Sequence, residues 1–199
     1  MDLNRVFHVA VSGPESSGKS TLCAQLSNLT GWPWVAEAAR YHPIALKQSG
    51  QGSVDDIGQI WSQQVCWTQA ATRFASRHSA PGVVIDTWSL VPEVWTLHAH
   101  GKERIDTRKW HTKVDAYVLC APTLPWTPDP LRSIPDSAER WKLFWEYHRR
   151  MEATGVPFLV YSASEHDELT ALNPAIKKGT PEACLSTLYK WMGNLPTSI

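Results

Sequence analysis

A short glycine-bounded loop near the start of the chain has the residue types and the spacing that bind phosphate. Its sequence is Gly13-Pro14-Glu15-Ser16-Ser17-Gly18-Lys19-Ser20. This run fits the phosphate-binding loop (P-loop) pattern Gly-x-x-x-x-Gly-Lys-Ser/Thr in full. Gly13 and Gly18 let the backbone turn tightly around an anion, so that successive N–H groups point at phosphate oxygens. The loop therefore predicts a nucleotide site, and the cofactors expected in it are ATP and Mg²⁺.

The polar side chains of the loop have predicted tasks. Lys19 would reach the β- and γ-phosphates, and Ser20 would hold Mg²⁺. A helix that begins near Lys19 would add the positive end of its dipole. The pattern requires a buried strand before it and a helix after it, and residues 6–11 and 20–29 have those characters. The predicted nucleotide-binding residues are Gly13, Glu15, Ser16, Ser17, Gly18, Lys19, Ser20 and Thr21.

A carboxylate at the end of a second apolar run is the predicted metal partner of the loop. Asp86 follows residues 83–85, which have the character of a central strand. Ligands gather at the carboxyl ends of strands in a doubly wound sheet, so we expect Asp86 to face the same crevice as Ser20 and to hold Mg²⁺ with it. The alternative is a carboxylate that only caps the next helix.

Glu37 closes the run of residues 32–36 at the same predicted sheet edge, and Arg40 follows one turn later. A carboxylate at that place can accept the proton of an acceptor hydroxyl. The alternative is a surface Glu–Arg pair at a helix start. The sequence alone leaves open whether Glu37 or Asp86 is the base.

A proline-rich stretch follows the fourth predicted strand. Residues 121–136 are too rich in proline for regular structure, and a loop of this length is typical of a functional lid, which we place at about residues 122–136. Arg132 lies in the lid and Arg140 on the next helix. We expect both to stabilise charge on a transferring phosphoryl group, as this chemistry requires. The alternative is that they are solvated arginines on a surface loop.

Elements that would position these residues alternate along the chain. Short buried runs predict strands at residues 6–11, 32–37, 83–86, 116–120 and 157–161. Helical spacing follows a capping box at residues 53–56 as far as about residue 78, and recurs over residues 138–151 with Gly155 as the cap. We therefore predict one α/β domain over residues 1–199, with five parallel strands in the order 2-3-1-4-5 and helices on both faces.

Composition narrows the class of partner. The chain has 19 basic and 19 acidic residues, so it lacks the basic excess of a nucleic-acid or anionic-membrane surface. It has no apolar run long enough to span a bilayer and does not begin like a signal peptide. Four separated cysteines, which we expect to be buried thiols, favour a reducing cytoplasm. We expect a small-molecule substrate, no nucleic-acid or membrane partner and a cytoplasmic location; the sequence predicts no oligomeric state.

Other motifs point to weaker alternatives. Asp55-Asp56-Ile57-Gly58 matches the DxxG pattern of GTPases, but no strand precedes it and no Asn-Lys-x-Asp motif follows. His98 and His100 have the spacing of a strand ligand pair in a region that is predicted to be helical, so we do not expect a metal there. The chain is also too short for a typical AAA+ module with its helical lid.

Taken together, the motifs resemble one family, the ribosylnicotinamide kinase domain of NadR-type proteins. The loop at residues 13–20 is similar to its Gly-x-Glu-Ser-Ser-Gly-Lys-Ser loop. Glu37-Ala38-Ala39-Arg40 resembles its strand-ending acid with a following arginine, and Asp86-Thr87 its Asp-Thr. Its lid, Pro-Trp-x-x-Asp-Gly-Leu-Arg, is matched by Pro125-Trp126-Thr127-Pro128-Asp129-Pro130-Leu131-Arg132.

This resemblance implies ATP-dependent phosphorylation of nicotinamide riboside to nicotinamide mononucleotide in NAD salvage. The sequence departs from the family at Tyr41, where the family has an acid, and at Pro130, where its lid has glycine. The adenylyltransferase half and the DNA-binding region of longer relatives are absent, so we expect a standalone kinase half without adenylyl transfer or repression. The adenine base is expected to contact the loop after Tyr161.

Tryptophan is the residue type best suited to the acceptor that the resemblance implies. The nicotinamide ring of the riboside is a flat cation, and a cation over a tryptophan face is stabilised by the ring quadrupole. Among the 11 tryptophans, Trp88 is the first candidate for a stacking wall, followed by Trp34 and Trp67. The predicted substrate-binding residues are Glu37, Arg40, Trp34, Trp67, Trp88, Trp126 and Asp129.

Two rival functions remain open at this point. One is a kinase for another nucleoside, of the deoxynucleoside or thymidylate type; the latter usually has Asp-Arg where this chain has Asp86-Thr87. The other is a non-catalytic or slowly hydrolysing nucleotide-binding module that signals to a partner. ADP release that depends on an added nucleoside would separate the kinases from the module.

Overall fold

Strands and helices alternate in the computed structural model, which describes residues 5–43, 52–164 and 179–193. The strands are β1 (Phe7–Ser12), β2 (Trp34–Val35), β3 (Gly82–Asp86), β4 (Ala116–Cys120) and β5 (Phe158–Tyr161). The helices are α1 (Lys19–Thr30), α2 (Val54–Arg77), α3 (Leu90–His100), α4 (Arg108–His111), α5 (Ser137–Thr154) and α6 (Pro181–Gly193). One 3₁₀ turn spans Ala38–Tyr41.

The five strands form one parallel sheet in the order β2-β3-β1-β4-β5, as the sequence predicted. Strand β1 is central: Val9 is in register with Val84 on one side and Ala116 on the other. All residues of β3 and β4 are buried, as expected for strands that are covered on both faces. The P-loop follows the central strand, so the phosphate site lies at the middle of the sheet's carboxyl edge.

Two separate apolar clusters cover the two faces. On one face, α1 and α6 pack on the sheet through Leu22, Leu26 and Leu188. On the other face, α2, α3 and α5 pack through residues that include Ala75 and Phe144. This is the three-layer α/β architecture that the alternation of short strands and helices predicted.

Several helix ends follow from local sequence signals. The Ser53 side chain accepts a hydrogen bond from the backbone of Asp56, and the Asp56 side chain accepts one from the backbone of Ser53, so the predicted capping box at the start of α2 is present. Gly31 and Gly155 end α1 and α5 in the left-handed region, where glycine carries no steric cost. The region of His98 and His100 is helical, as expected.

Two sequence expectations are corrected. Strand β2 has only two residues, Trp34 and Val35, because Trp32 turns into the core against Gly82. A Cβ atom at residue 82 would approach the Trp32 ring to 2.5 Å, so this packing requires glycine there. Cys66 is exposed, whereas all four cysteines were expected to be buried; the other three are. Cys66 lies on α2, whose amphipathic spacing leaves one face outward.

A buried carboxylate joins three helices on the α3 side of the sheet. Glu93 of α3 accepts hydrogen bonds from Thr107 Oγ1 at 2.8 Å and His111 Nε2 at 3.1 Å. Its other oxygen accepts one from Arg150 Nη1 of α5 at 2.9 Å. Burial raises the pKa of Glu93, but the bonds from His111 and Thr107 lower it by more, so the net pKa lies below its ordinary value. The network fixes α3, which lies beside the site described below.

In the ranges that the structure describes, no helix combines the length and the apolar character that a bilayer span requires.

Candidate active site

The P-loop turns around an open centre because its backbone adopts conformations that few residues tolerate. Gly13 has φ 142°, and a Cβ atom there would lie 2.5 Å from the carbonyl oxygen of Cys120. Gly18 has φ 83° and caps the N-terminus of α1. Ser16 takes the left-handed region without being glycine, at φ 51°. The loop and the first turn of α1 line one cavity of about 110 Å³, the phosphate cavity.

Lys19 and Ser17 both hold the loop's own backbone. Lys19 Nζ donates to the carbonyl oxygen of Pro14 at 2.6 Å, and Ser17 Oγ donates to the same oxygen at 2.8 Å. The ammonium group thus lies across the loop beside the phosphate cavity. A phosphate oxygen entering the cavity can replace the carbonyl as a stronger, charged acceptor.

Asp86 lies at the carboxyl end of β3 and is 1% exposed. Its Oδ1 atom has no hydrogen-bond partner among the described residues. Burial first, and then the charge of Glu37, raise the pKa of Asp86 to about 6, against a hydrogen bond from Ser20 and the charge of Lys19. A buried carboxylate oxygen without a partner is costly unless a cation or a donor joins it.

The side-chain oxygens of Ser20 and Asp86 suit Mg²⁺ as ligands. Ser20 and Asp86 supply a hydroxyl and a carboxylate oxygen, the hard ligands that Mg²⁺ prefers. Across the described part of the chain, no cluster of three or more His, Cys, Asp and Glu side chains is placed to hold a metal ion. Mg²⁺ would therefore take its remaining ligands from phosphate and water, which is its usual mode in kinases.

Glu37 precedes the 3₁₀ turn and pairs with Arg40, whose Nε lies 3.3 Å from Glu37 Oε2. Gln64 of α2, which the sequence patterns did not place at the site, fixes this segment to β3. Its Oε1 accepts from the Ala38 backbone at 2.8 Å, and its Nε2 donates to the Asp86 carbonyl at 3.2 Å. One amide thus positions the backbone of both candidate carboxylates.

A second cavity, which we call the aromatic slot, adjoins the phosphate cavity and also measures about 110 Å³. The two share part of their walls. The residues that border both are Glu37, Thr87, Val91, Trp95 and Leu131. Thr87 holds φ 68° at this junction, a strained value for a β-branched residue and of the kind that clusters at functional sites.

Three tryptophans line the aromatic slot: Trp61, Trp88 and Trp95. Trp88, the first sequence candidate, is fixed because its Nε1 donates to the Trp110 carbonyl at 3.1 Å. Trp61 and Trp88 meet edge to face, with ring centroids 4.9 Å apart. Trp61 and Trp95 were not predicted at the site. Their signal was available in part, since Val91 and Trp95 share one face of α3 by helical spacing and Trp88 lies just before that helix.

Other predicted tryptophans lie elsewhere. Trp34 is 40% exposed on β2 and does not line the aromatic slot. Trp67 packs edge to face on Tyr41, with centroids 5.3 Å apart, and does not line the slot either. Trp126 lies in the lid segment, residues 122–136, and its Nε1 donates to Glu15 Oε2 at 3.2 Å.

Lid contacts account for the remaining predicted residues. Asp129 accepts from Arg40 Nη1 at 2.9 Å. Arg132 borders the phosphate cavity and donates through Nη1 to the Thr127 carbonyl at 2.8 Å. Arg140, 5% exposed, does not line that cavity and instead donates through Nη1 to the Leu124 carbonyl at 3.0 Å. Arg140 therefore supports the lid backbone from α5.

Glu15 was predicted to contact the nucleotide, but its side chain is turned to the lid. Its oxygens accept hydrogen bonds from Trp126 and from the backbone of Ser133 and Ile134. The expected adenine contact after Tyr161 lies largely outside the described residues, which break off between 165 and 178.

Comparison with solved structures shows the fold. A NadR protein in complex with NR superposes with a TM-score of 0.65 at 15% identity, over 98% of this chain and 53% of that one. A deoxyadenosine kinase from M. mycoides gives a TM-score of 0.55 at 14% identity, over 92% of this chain and 100% of that one. The chain is thus a P-loop fold of the nucleoside-kinase type and spans about half the length of the NadR protein.

Sequence comparison gives a short match and a long one. A cytidylate kinase from Pelodictyon phaeoclathratiforme is 35% identical over 49 residues, which cover 25% of this chain and 21% of the relative. A family model described as an AAA domain (AAA_28) matches residues 8–168. That description corrects the expectation, drawn from chain length, that set AAA-type modules aside. The match contains the P-loop, both candidate carboxylates and the lid segment, and the chain belongs to this AAA domain family.

Proposed function

We propose that this protein is an ATP- and Mg²⁺-dependent kinase that phosphorylates the 5′-hydroxyl of nicotinamide riboside to give nicotinamide mononucleotide. The observation that carries the proposal is the shared wall of the phosphate cavity and the aromatic slot, with Glu37 in it. A riboside whose ring fills the slot would present its sugar hydroxyl at that wall. The proposal concerns kinase activity only, because the chain spans about half of the NadR protein it resembles.

The phosphate side of the reaction is assigned to the loop. Backbone N–H groups and the α1 dipole would bind the β- and γ-phosphates, and Lys19 would exchange the Pro14 carbonyl for a phosphate oxygen. Ser20 and Asp86 would hold Mg²⁺, which supplies charge stabilisation when bound. Arg132 borders the same cavity and would add positive charge at the transferring group.

The acceptor side is assigned to Glu37. Its carboxylate borders both cavities, so a hydroxyl at the junction could pass its proton to Glu37 as the oxygen attacks phosphorus. Asp86 is the weaker candidate for the base, since its position behind Ser20 suits a metal ligand. Arg40 would keep Glu37 oriented through their ion pair.

The lining of the aromatic slot favours a cationic ring as its ligand rather than a neutral base. Among the described residues that line it, most are apolar or aromatic, and the one charged side chain is Glu37. Gln64 also borders the slot, but both ends of its amide are engaged with backbone groups. Neutral bases are usually distinguished by hydrogen bonds to their edges, whereas a flat cation gains from tryptophan faces and a nearby carboxylate. The fold shared with a NadR protein solved with NR supports the same assignment.

A panel of acceptors tests the proposal. ADP release is measured with ATP and Mg²⁺ over nicotinamide riboside, nicotinic acid riboside, deoxyadenosine, cytidine, uridine and thymidine, with Lys19→Ala as the inactive control. We expect nicotinamide riboside to give the highest kcat/KM. Equal turnover of neutral nucleosides would contradict the cationic acceptor, and the absence of any nucleoside-dependent ADP release would favour a non-catalytic nucleotide-binding module.

A further inference from the structure

An acidic residue inside a phosphate-binding loop is electrostatically unexpected. Glu15 lies between Gly13 and Gly18 and is only 7% exposed. Its charge would repel phosphates bound by the same loop. A buried carboxylate persists when charged or polar donors satisfy it, so the donors around Glu15 indicate what it does.

Among the described residues, every hydrogen bond to the Glu15 side chain comes from the lid segment. Oε1 accepts from the Ser133 backbone N–H at 2.8 Å. Oε2 accepts from the Ile134 backbone N–H at 3.0 Å and from Trp126 Nε1 at 3.2 Å. Next to Glu15, Ser16 Oγ receives the Thr127 backbone N–H at 3.3 Å. The P-loop thus binds the lid segment near both of its ends, through Trp126 near the start and through the backbone of residues 133–134 near the end.

These hydrogen bonds to Glu15 fix the position of Arg132. The backbone N–H groups bound to Glu15 belong to the two residues that follow Arg132, and the Arg132 side chain borders the phosphate cavity. A second contact binds the middle of the lid segment, where Asp129 accepts a hydrogen bond from Arg40 Nη1 at 2.9 Å. The lid is therefore attached both to the phosphate loop and to the segment that carries Glu37.

We propose that Glu15 is a positioning residue that locks the lid segment onto the P-loop and thereby places Arg132 at the phosphates and keeps water from them. This inference rests on the proposed kinase function. Water that reaches the γ-phosphate in place of the acceptor hydroxyl turns ATP into ADP and inorganic phosphate. A locked lid therefore favours transfer over hydrolysis.

The chemistry of the lock requires a carboxylate. Three donors converge on two oxygens, and each bond to a charged acceptor is about twice as strong as a neutral one. In Glu15→Gln one oxygen becomes an NH₂ group, which is itself a donor and faces a donor. In Glu15→Asp the charge is kept, but the side chain is one methylene shorter.

Hydrogen exchange tests the lock without any acceptor. Amide exchange at Ser133 and Ile134 is measured in wild type, Glu15→Gln, Glu15→Asp and the matched surface control Glu152→Gln, each with and without the non-hydrolysable analogue AMP-PNP. We expect Glu15→Gln to accelerate exchange at both amides by about 10-fold or more. Glu15→Asp should accelerate it by a smaller factor, and Glu152→Gln should exchange at the wild-type rate. Unchanged exchange in Glu15→Gln would overturn the proposal.

Steady-state kinetics test the consequence. We expect Glu15→Gln to lower kcat for transfer by about 10- to 100-fold, to change the Kd for AMP-PNP by less than about 3-fold, and to raise the ratio of hydrolysis to transfer. Partial rescue of kcat by Glu15→Asp would separate a positioning role from loss of fold. A parallel loss of nucleotide affinity would mean instead that Glu15 supports the phosphate site itself. Should the acceptor panel fail, the exchange measurement still decides whether the lock exists.

Discussion

Asp86 and Glu37 lie close enough for one carboxylate to affect the ionisation of the other. Burial, followed by the charge of Glu37, raises the pKa of Asp86 to about 6. The charge of Glu37 therefore disfavours the ionised form of Asp86, and a cation bound beside Asp86 would offset that effect. Gln64 links the backbone of their segments, with contacts of 2.8 Å to Ala38 and 3.2 Å to Asp86.

Replacing Asp86 by Asn should stabilise the metal-free protein at neutral pH. The folded pKa of Asp86, about 6, lies above its ordinary value of 3.8, so the unfolded chain ionises first and wild-type stability falls as pH rises from about 4 to about 6. The Asp86→Asn variant has no such loss, and we expect its free energy of unfolding at pH 7 to exceed wild type by about 1–3 kcal/mol. Urea unfolding with EDTA at pH 4 and pH 7 measures this. A gain of equal size at both pH values would show that it does not come from the charge.

Asp86→Asn and Glu37→Gln should fail in different ways if their assigned tasks are right. Asp86→Asn removes a charge from the metal shell and should raise the Mg²⁺ concentration for half activity. Glu37→Gln should lower kcat at saturating Mg²⁺ by about 10²- to 10⁴-fold, the usual contribution of a general base. Mg²⁺ titrations of both variants check this, and the reverse pattern would mean that metal ligand and base are exchanged.

The tryptophans of the aromatic slot should control KM for the riboside. Trp61→Ala and Trp95→Ala should each raise it by about 2- to 30-fold, because a cation–aromatic contact contributes about 0.5–2 kcal/mol. Trp34→Ala is the matched control, since Trp34 lies outside the slot. Riboside titrations followed by ADP release give KM, and riboside binding should also quench tryptophan fluorescence. An equal rise of KM in Trp34→Ala would show that the aromatic slot does not bind the ring of the riboside.

Arg132→Ala should reduce kcat more than it weakens ATP binding. Arg132 borders the phosphate cavity but is held by the lid, through the Thr127 carbonyl at 2.8 Å. An arginine that engages mainly in the transition state lowers kcat when it is removed. Comparing kcat with the Kd for AMP-PNP gives the answer, with Arg140→Ala as a second variant that loosens the lid from α5. Equal losses in Kd and kcat would make Arg132 an ordinary nucleotide-binding residue.

Stability at low pH should depend on Glu93. Its folded pKa lies below the ordinary value of 4.5, so its contribution to the unfolding free energy is present above about pH 4.5 and is lost as pH falls through the folded pKa. Glu93→Gln should lower the unfolding free energy at pH 7 by about 1–3 kcal/mol, because buried partners lose a charged acceptor. Denaturation of Glu93→Gln and of the exposed control Glu152→Gln, whose side chain lies outside this network, at pH 3 and pH 7 tests this. A pH-independent loss in Glu93→Gln would contradict the ionic origin.

Much of the fold follows from local patterns in the sequence. Buried runs of four to six residues, separated by helical spacing, allow few arrangements other than a parallel sheet with helices on both faces, and the strand order came out as predicted. The helix ends at Gly31 and Gly155 and the capping box at Ser53 are also local signals. The P-loop is local as well, since its pattern lies within eight consecutive residues.

The rest of the site depends on contacts between distant residues. Glu15 meets Trp126 across a sequence separation of 111, and no pattern near Glu15 indicates that partner. In the sequence, Gln64 is one polar position on an amphipathic helix, although it bridges Ala38 and Asp86 in the structure. Trp34 and Trp61 are equally suited to stacking by residue type, and only the direction of α2 relative to the sheet places Trp61 in the slot.

The central place of β1 has a consequence for biosynthesis. This strand is made before both of its neighbours in the sheet, which begin only at Gly82 and Ala116. Until Cys120 has left the ribosome, the apolar strand before the P-loop cannot have both hydrogen-bonding edges covered. Such long-range parallel pairing folds slowly and exposes aggregation-prone segments meanwhile. The edges of β1 therefore stay open over this interval of synthesis, and the P-loop that follows β1 reaches its final support only when β3 and β4 have both paired with that strand.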